Sequence, residues 1–256
     1  FPDWLREEDS SSVSSRFHQK YSQNPQPWFE WIYEQLNLKE KDKVLELGCG
    51  TGELWKNKNL PKNVHVTLSD QSQGMVKDAR NYVGEGKGQI SYQMIDCRQI
   101  PKEDHSFDKV IANHVLFYLD DRQQVFNEIK RVLKQNGTFI CSTYGSSHMQ
   151  EITQLIKDFD ERITLSDHKL YDVFGLENGE EQLKKVFSQV KEIDYEDELL
   201  VDQPEPLISY ILSCHGNQHE YLNHRYLEFK DFVRKKMAAK GVIKITKSAG
   251  IFICKP

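Results

Sequence analysis

Residues 44–52, VLELGCGTG, set Gly48, Gly50 and Gly52 on alternate positions directly behind an apolar run. Glycine reaches positive φ without strain and carries no Cβ, so a ligand can come close to the backbone there. Acids surround this loop in sequence: Glu46 stands just ahead of it, Asp70 closes the next apolar run about 20 residues on, and Asp96 closes a third. A carboxylate at the spacing of Asp70 can accept both hydroxyls of a ribose. The GxGxG spacing departs from the GxGxxG of dinucleotide loops, and a carboxylate beside it would repel a pyrophosphate. The ligand that suits these residues carries ribose, adenine and a positive group, and no phosphate.

The elements that hold these residues follow from the apolar pattern. Short runs (KVLEL, VHVTLSD, ISYQMID, KVIANHVLF, TFICSTY) alternate with amphipathic stretches such as QGMVKDARNYV and RQQVFNEIKRVLKQNG. In the latter, Val125, Phe126, Ile129, Val132 and Leu133 share one face, with Asp120 and Asp121 at its start and Asn136-Gly137 as the expected stop. Alternating strand and helix predicts parallel strands covered on both faces, hence a doubly wound α/β sheet. A helix opening at Pro27 places Trp28, Trp31, Ile32, Gln35 and Leu36 on one side, and the tryptophans read as core in preference to an aromatic acceptor box. Residues 1–15 are polar and serine-rich, so order is expected from near Arg16. Beyond 145, residues 146–162 and 179–188 read as helices, VKEIDYEDELLV as one long strand, 205–240 as a helical insertion, and SAGIFICKP as a final strand paired antiparallel at a sheet edge.

Composition narrows the function. The 256 residues carry a net charge of −5 with no long block of Lys or Arg, which argues against nucleic acid. Five cysteines, odd in number and without a CxxC pair, read as free thiols in a reducing, cytoplasmic setting. No run is long and apolar enough for a membrane span, and the start lacks a signal-peptide layout. His215 and His219 have His-x3-His spacing, with His224 beyond, yet no acid falls at a matching interval, so no metal is expected.

The motif set resembles the class I S-adenosylmethionine-dependent methyltransferases. ELGCGTG is similar to that family's nucleotide loop, Asp70 to its second-strand acid, Asp96-Cys97 to its third-strand pair, VIANHVLFYL to its fourth strand, and LKQNGTFI to the turn into its fifth. The resemblance covers roughly 43–145, and the segments KYSQNPQPWFEWIYEQL, FGLENGEEQL and SAGIFICKP resemble a bacterial subgroup of the family. It implies a seven-stranded, mostly parallel Rossmann-like sheet with an antiparallel last strand. The expected organisation is N-terminal lid helices at 1–42, a cofactor-binding core at 43–145, and the rest of the same domain at 146–256, with acceptor-covering insertions at 146–180 and 204–240.

The resemblance also implies roles. The backbone of Gly48, Cys49 and Gly50 would pack on the methionine and ribose portions of S-adenosyl-L-methionine, and Glu46 would attract its amino group. Asp70 would bind the ribose, and Asp96 with the backbone of Cys97 the adenine. Gln71, Ser72 and Met75 border that position, although Ser72 also fits a helix N-cap and Met75 a core residue. The Asn113 carbonyl would face the sulfonium, and Tyr21, in the lid, the methionine carboxylate. His114 is the candidate general base, with simple packing as the alternative reading. The implied activity is methyl transfer to a hydroxyl or amine of a small, partly apolar metabolite, leaving S-adenosyl-L-homocysteine. Alternatives are transfer of another group or sensing by the same site, an RNA methyltransferase, and an NAD-dependent dehydrogenase.

Overall fold

A computed structural model of the protein describes residues 10–84, 88–166 and 169–256, with side chains from Val13 onward. The expected irregular start at residues 1–9 lies outside the described residues; α1 (Ser10–Tyr21) begins six residues ahead of Arg16. There follow α2 (Trp28–Gln35), β1 (Lys43–Leu47), β2 (His65–Asp70), α3 (Gln73–Val83), β3 (Ile90–Met94), β4 (Phe107–Asn113), α4 (Arg122–Val132) and β5 (Leu133–Tyr144). Next come α5 (Gln150–Phe159), α6 (Leu170–Val173), α7 (Leu176–Lys184), β6 (Gln189–Asp194) and β7 (Asp197–Val201). The last elements are α8 (Pro204–Ser213), α9 (Gln218–Leu222), α10 (Tyr226–Lys240), β8 (Ile243–Lys247) and β9 (Ala249–Lys255). They fall into two compact units: one holds the segment up to Pro25, Ser146–Lys169 and Glu196–Ser248, the other Gln26–Gly145, Leu170–Tyr195 and Ala249–Pro256.

The larger unit is the doubly wound sheet, in the order β3-β2-β1-β4-β5-β9-β6. The first five strands are parallel, while β9 runs antiparallel to both β5 and β6. The last strand is therefore antiparallel as expected, but it lies one place in from the edge, with β6 outside it. Side chains alternate between the faces of a strand, and both faces here are covered. Leu45, Leu47, Val110, Ala112 and Phe139 join a core cluster with Phe126 and Ile129 of α4 and Leu183 of α7. Their neighbours Val44, Ile111 and Ile140 join a second cluster with Ile32 of α2, Leu36 just past it, Ala79 of α3, and Leu54 and Trp55 from the turn after the glycine loop. Each fully buried Leu, Ile or Phe contributes about 1.5–3 kcal/mol, so the two clusters supply most of the drive to close the sheet. Helix α4 is capped by Asp121, whose Oδ1 accepts the Gln124 N–H at 3.0 Å. It ends at Val132, short of Asn136-Gly137, because Leu133 already pairs with Phe107 as β5 begins.

The smaller unit surrounds the antiparallel pair β7-β8 with α1, α5, α8, α9 and α10. Its core holds Phe17, Ile152, Leu199, Leu207, Ile211, Phe229, Val233 and Ile245. Two sequence expectations change here. The stretch VKEIDYEDELLV is two strands in different sheets, not one. Tyr195 ends the pairing with β9: its N–H donates to the Ala249 carbonyl at 2.9 Å and its hydroxyl to the Gln26 carbonyl at 2.6 Å, after which the chain leaves to form β7. Strand β8 was not anticipated, although the buried Ile243 and Ile245 show the period of two. Among the described residues no helix is long and apolar enough to cross a membrane.

The smaller unit contains a buried ion pair, Lys247 Nζ to Asp197 Oδ2 at 2.8 Å, with side chains 9% and 0% exposed. Asp197 also accepts from Ser22 Oγ at 2.8 Å and from the Gln23 and Asn24 N–H groups at 3.0 Å, which fixes the chain leaving α1. These partners hold the Asp197 carboxyl below its ordinary range against the effect of burial. The stabilisation is therefore complete above the unfolded carboxyl value near pH 4 and is lost as pH falls through the lower folded one. Replacing Asp197→Ala strands a buried lysine and is expected to cost about 3–5 kcal/mol. Urea unfolding at pH 7 reads this, and the gap from wild type narrows in acid.

Candidate cofactor site

The strand order reverses at β1 and β4: connections leave β1 toward β2 and β4 toward β5, opening a crevice at the carboxyl ends of the strands. Every residue that the sequence singles out in the larger unit, from Glu46 to His114, lies on or just past these strand ends. Gly48, Gly50 and Gly52 all have positive φ, at 68°, 53° and 82°. Their surroundings differ. A Cβ on Gly48 would collide with the Val115 side chain, and one on Gly52 would lie 2.6 Å from Val83 Cγ2, so the fold itself requires both glycines. A Cβ on Gly50 would meet nothing within 4 Å. Only above Gly50 is the bare backbone open to a ligand.

The loop is tied to β2. Cys49 N–H donates to the Ser69 carbonyl at 2.8 Å and Gly50 N–H to Asp70 Oδ2 at 3.1 Å. Asp70 Oδ1 accepts the Ser72 N–H at 2.9 Å. An ionised carboxylate has about four acceptor sites, and two backbone donors leave Asp70, which is half-buried, capacity for a pair of hydroxyls. Gln71 is exposed. Ser72 caps α3, accepting from Met75 N–H at 3.4 Å, while Met75 is 42% exposed beside the strand ends and is not a core residue. Asp96 stands two residues past β3 and grips the Arg98 guanidinium through both oxygens, at 3.0 Å and 2.7 Å, which holds its carboxyl below the usual range. Burial pushes the Cys97 thiol up to about 11 and raises Cys49 too, so neither is a thiolate near neutrality.

Glu46 is 2% exposed on the central strand. Trp55 Nε1 donates to its Oε2 at 2.6 Å and Asn113 Nδ2 to its Oε1 at 2.9 Å. The Asn113 Oδ1 is buried and has no hydrogen-bond partner among the described residues. Next to it, His114 holds φ of 52°, a left-handed conformation that costs a non-glycine residue of order 1–3 kcal/mol. Its N–H donates to Ser142 Oγ at 3.0 Å. The His114 ring lies among aromatics: Trp28 at 5.5 Å with 24° between planes, Tyr144 at 5.3 Å, and Phe117 at 6.1 Å. Trp28 also stacks on Trp31 at 5.4 Å and meets Tyr195 edge-on at 5.1 Å. Both tryptophans are half-buried and pack against the core cluster of Ile32 and Leu36, in line with the core reading, while Trp28 also joins an aromatic wall with His114 beside β4.

Tyr21 belongs to the smaller unit, where its ring packs edge-on to Phe17 at 5.2 Å and its buried hydroxyl has no hydrogen-bond partner. Trp55, Arg98, Tyr144 and Tyr195 escaped the sequence reading, and no spacing rule links any of them to the acids they touch or the rings they join. Among the described residues no three His, Cys, Asp or Glu side chains group as metal ligands.

Open space over Gly50, spare acceptor sites on Asp70, and a buried carboxyl beside an orphaned amide oxygen together suit a ligand with ribose hydroxyls and an ammonium group. Acids at three strand ends suit it only if it has no phosphate. S-adenosyl-L-methionine meets each condition.

Comparison with known proteins agrees. Residues 45–141 match a protein family described as a methyltransferase domain. Methyltransferase GfsG of Streptomyces halstedii is 32% identical over 114 residues, covering 42% of this chain and 40% of that protein. Malonyl-acyl-carrier-protein O-methyltransferase 1 of Ilyobacter polytropus is 20% identical over 220 residues, covering 81% of this chain and 78% of its own. The crystal structure of the Bacillus subtilis YcgJ protein superposes with a TM-score of 0.54 at 17% identity, over 89% of this chain and 97% of that one, a likeness of fold. Of three curated relatives that it matches, GfsG among them, the chain spans less than half the length.

The three glycines should separate under mutation. Gly50→Ala is expected to fold, at a cost of about 1–2 kcal/mol for its left-handed backbone, and to bind S-adenosyl-L-homocysteine more than tenfold worse by calorimetry. Gly52→Ala adds the clash with Val83 and should lower the melting temperature further. Equal loss of stability in the two variants, with binding kept in Gly50→Ala, would contradict the assignment.

Proposed function

We propose that this chain, whose residues 45–141 match a methyltransferase domain family, is a class I S-adenosylmethionine-dependent methyltransferase and transfers a methyl group to a hydroxyl or amine of a small, partly apolar metabolite. S-adenosyl-L-methionine is the cofactor of that domain family. The observation that carries the reading is the open space over Gly50, whose N–H is held by Asp70, together with the buried Glu46 and the orphaned amide oxygen of its partner Asn113. In this reading Asp70 holds the ribose, the Gly48–Gly50 backbone lies along the ligand, and Asp96, Cys97 and Gln71 border the adenine. Glu46 and Asn113 take the ammonium end.

The bound cofactor supplies an activated methyl on sulfur, so the acceptor's lone pair forms the new bond as the carbon–sulfur bond breaks. What remains for the protein is to align the acceptor and exclude water, and such positioning is worth up to about 7–11 kcal/mol in favourable cases. The wall of Trp28, His114, Phe117 and Tyr144 stands beside the end of β4 and offers flat apolar surface to the acceptor. Burial raises the Tyr144 phenol, which keeps it protonated and a donor. His114 is the proposed base for the acceptor's proton, its strained backbone being of the kind that gathers at working sites. Net charge of −5 supports a small acceptor over nucleic acid, and five free cysteines support a cytoplasmic setting. One of the named relatives is an O-methyltransferase, and the hydroxyl or amine preference here rests on the presence of His114.

Cofactor binding and turnover should split between two variants. Asp70→Ala removes acceptors of charge-assisted hydrogen bonds and is expected to weaken S-adenosyl-L-methionine by about 1.5–3 kcal/mol, roughly 10- to 150-fold in Kd. His114→Ala should keep that Kd and lower turnover by about 10²–10⁴ if it takes the proton. Labelled-methyl transfer into metabolite extracts, with S-adenosyl-L-homocysteine counted against methylated product, reads both. Cofactor binding without stoichiometric release of S-adenosyl-L-homocysteine would leave sensing or another transfer as the function.

A further inference from the structure

Glu46 breaks the pattern of its strand. Val44 on the same face is fully buried in the cluster with Ile32 and Trp55, and alternation would put another apolar residue two positions on. A carboxyl stands there instead, and among the described residues no cation answers it. The groups that act on it are two neutral donors, the Trp55 indole and the Asn113 amide, and one further acid, Asp70 of β2. The Cys49 thiol of the loop is the other titratable neighbour, and Glu46 in turn raises it. Burial outweighs both hydrogen bonds and lifts the Glu46 carboxyl to about 7.

The two donors are arranged for one purpose. Trp55 takes Oε2 and Asn113 takes Oε1, so the carboxylate plane is fixed by one bond to each oxygen. Trp55 is 1% exposed and its ring is set edge-on to Tyr33 at 6.1 Å, so the indole has little freedom to follow a moving acid. Because Asn113 spends its Nδ2 on Glu46, its Oδ1 is committed to another direction, and there it is buried and unpaired. A buried acid without a counter-ion and a buried acceptor without a donor, joined by one hydrogen bond, lack the same thing: a compact cation rich in N–H donors.

We propose that Trp55 and Asn113 are positioning residues that hold Glu46 and the Asn113 amide oxygen as a paired receptor for the cofactor's ammonium group, so that binding below neutral pH expels the Glu46 proton to solvent. The inference rests on the cofactor reading above and adds a regulatory property to it. The proton balance is simple. In the free protein at pH 6 Glu46 is about nine-tenths protonated for a midpoint near 7. The incoming ammonium brings its own charge and requires the carboxylate, so close to one proton leaves per ligand at pH 6 and few leave at pH 8. Affinity then falls as pH drops, by roughly five- to tenfold between pH 7.5 and 6. Product carries the same ammonium group, so its release is favoured by the same acidification.

Calorimetry with S-adenosyl-L-homocysteine, run at pH 6 and 7.5 in buffers of different ionisation enthalpy, counts the protons. Wild type is expected to release close to one at pH 6, and Glu46→Gln none. Trp55→Phe keeps the ring and removes the N–H; loss of a hydrogen bond to the charged form should move the proton-release curve up by roughly one pH unit, with affinity falling at pH 7 and recovering toward wild type in alkali. A merely structural Trp55 would weaken binding equally at every pH. Should Trp55→Phe fold poorly, the indole N–H resonance of Trp55 in the wild-type protein serves instead: it should titrate near pH 7 without ligand and stop titrating at saturation. Binding with no proton release and a flat indole resonance overturns this inference and leaves the cofactor reading standing. Failure of S-adenosyl-L-homocysteine and S-adenosyl-L-methionine to bind at any pH overturns the cofactor reading itself.

Discussion

A parallel strand buried on both faces leaves its last peptide groups without a ladder partner at the carboxyl end, and the arrangement around β1 depends on how those groups are satisfied. The chain departs from β1 into a loop whose N–H groups go to β2: Cys49 to the Ser69 carbonyl and Gly50 to the Asp70 carboxylate. The first of these residues of β2 also reaches back, since Ser69 Oγ donates to the Glu46 carbonyl at 2.6 Å. Loop and strand end are therefore stitched before any ligand arrives. That pre-organisation spares the binding energy which ordering a flexible glycine loop would consume.

The polar groups of the crevice sit on a frame that is otherwise apolar, and their energetics follow from it. A buried carboxyl is tolerable when it is neutral or matched, and Glu46 is held between those conditions by two donors that favour charge and a burial that opposes it. Asp70 and Asp96 are closer to solvent and are satisfied differently, the first by backbone N–H groups and the second by Arg98. Three acids that look alike in sequence thus occupy three environments. In the smaller unit a fourth, Asp197, is matched by a lysine and ties a turn in place instead of facing a ligand.

What was legible in the sequence was whatever depends on neighbours along the chain. The glycine spacing, the strand-helix alternation, and the acids at the ends of β2 and β3 all report local backbone needs, and they located the crevice and the parallel sheet. The partners of those acids were not legible. Trp55 reaches Glu46 from nine residues away through a short 3-10 turn, Asn113 from across the sheet, and Arg98 folds back on Asp96 over two residues. The division at Tyr195 was hidden for a similar reason. Nothing local separates the apolar pattern of β6 from that of β7; the separation comes from Ala249 and Gln26 capturing Tyr195. Met75 misled because a methionine at helical spacing reads as core until the strand end that bares it is seen.

Among the described strands β6 pairs with β9 alone, and β9 follows it in the chain across residues 195–248. As the chain emerges from the ribosome, β5 therefore presents an open edge, and β6 has no partner, while roughly fifty-five further residues are synthesised, about 3–11 s at ordinary elongation rates. During that interval β6, the largely polar QVKEID, has no ladder partner, and the apolar Phe139, Ile140 and Cys141 of β5 lack theirs. The sheet can close on this side only once β9 has been made, because β9 is the strand that joins β6 to β5.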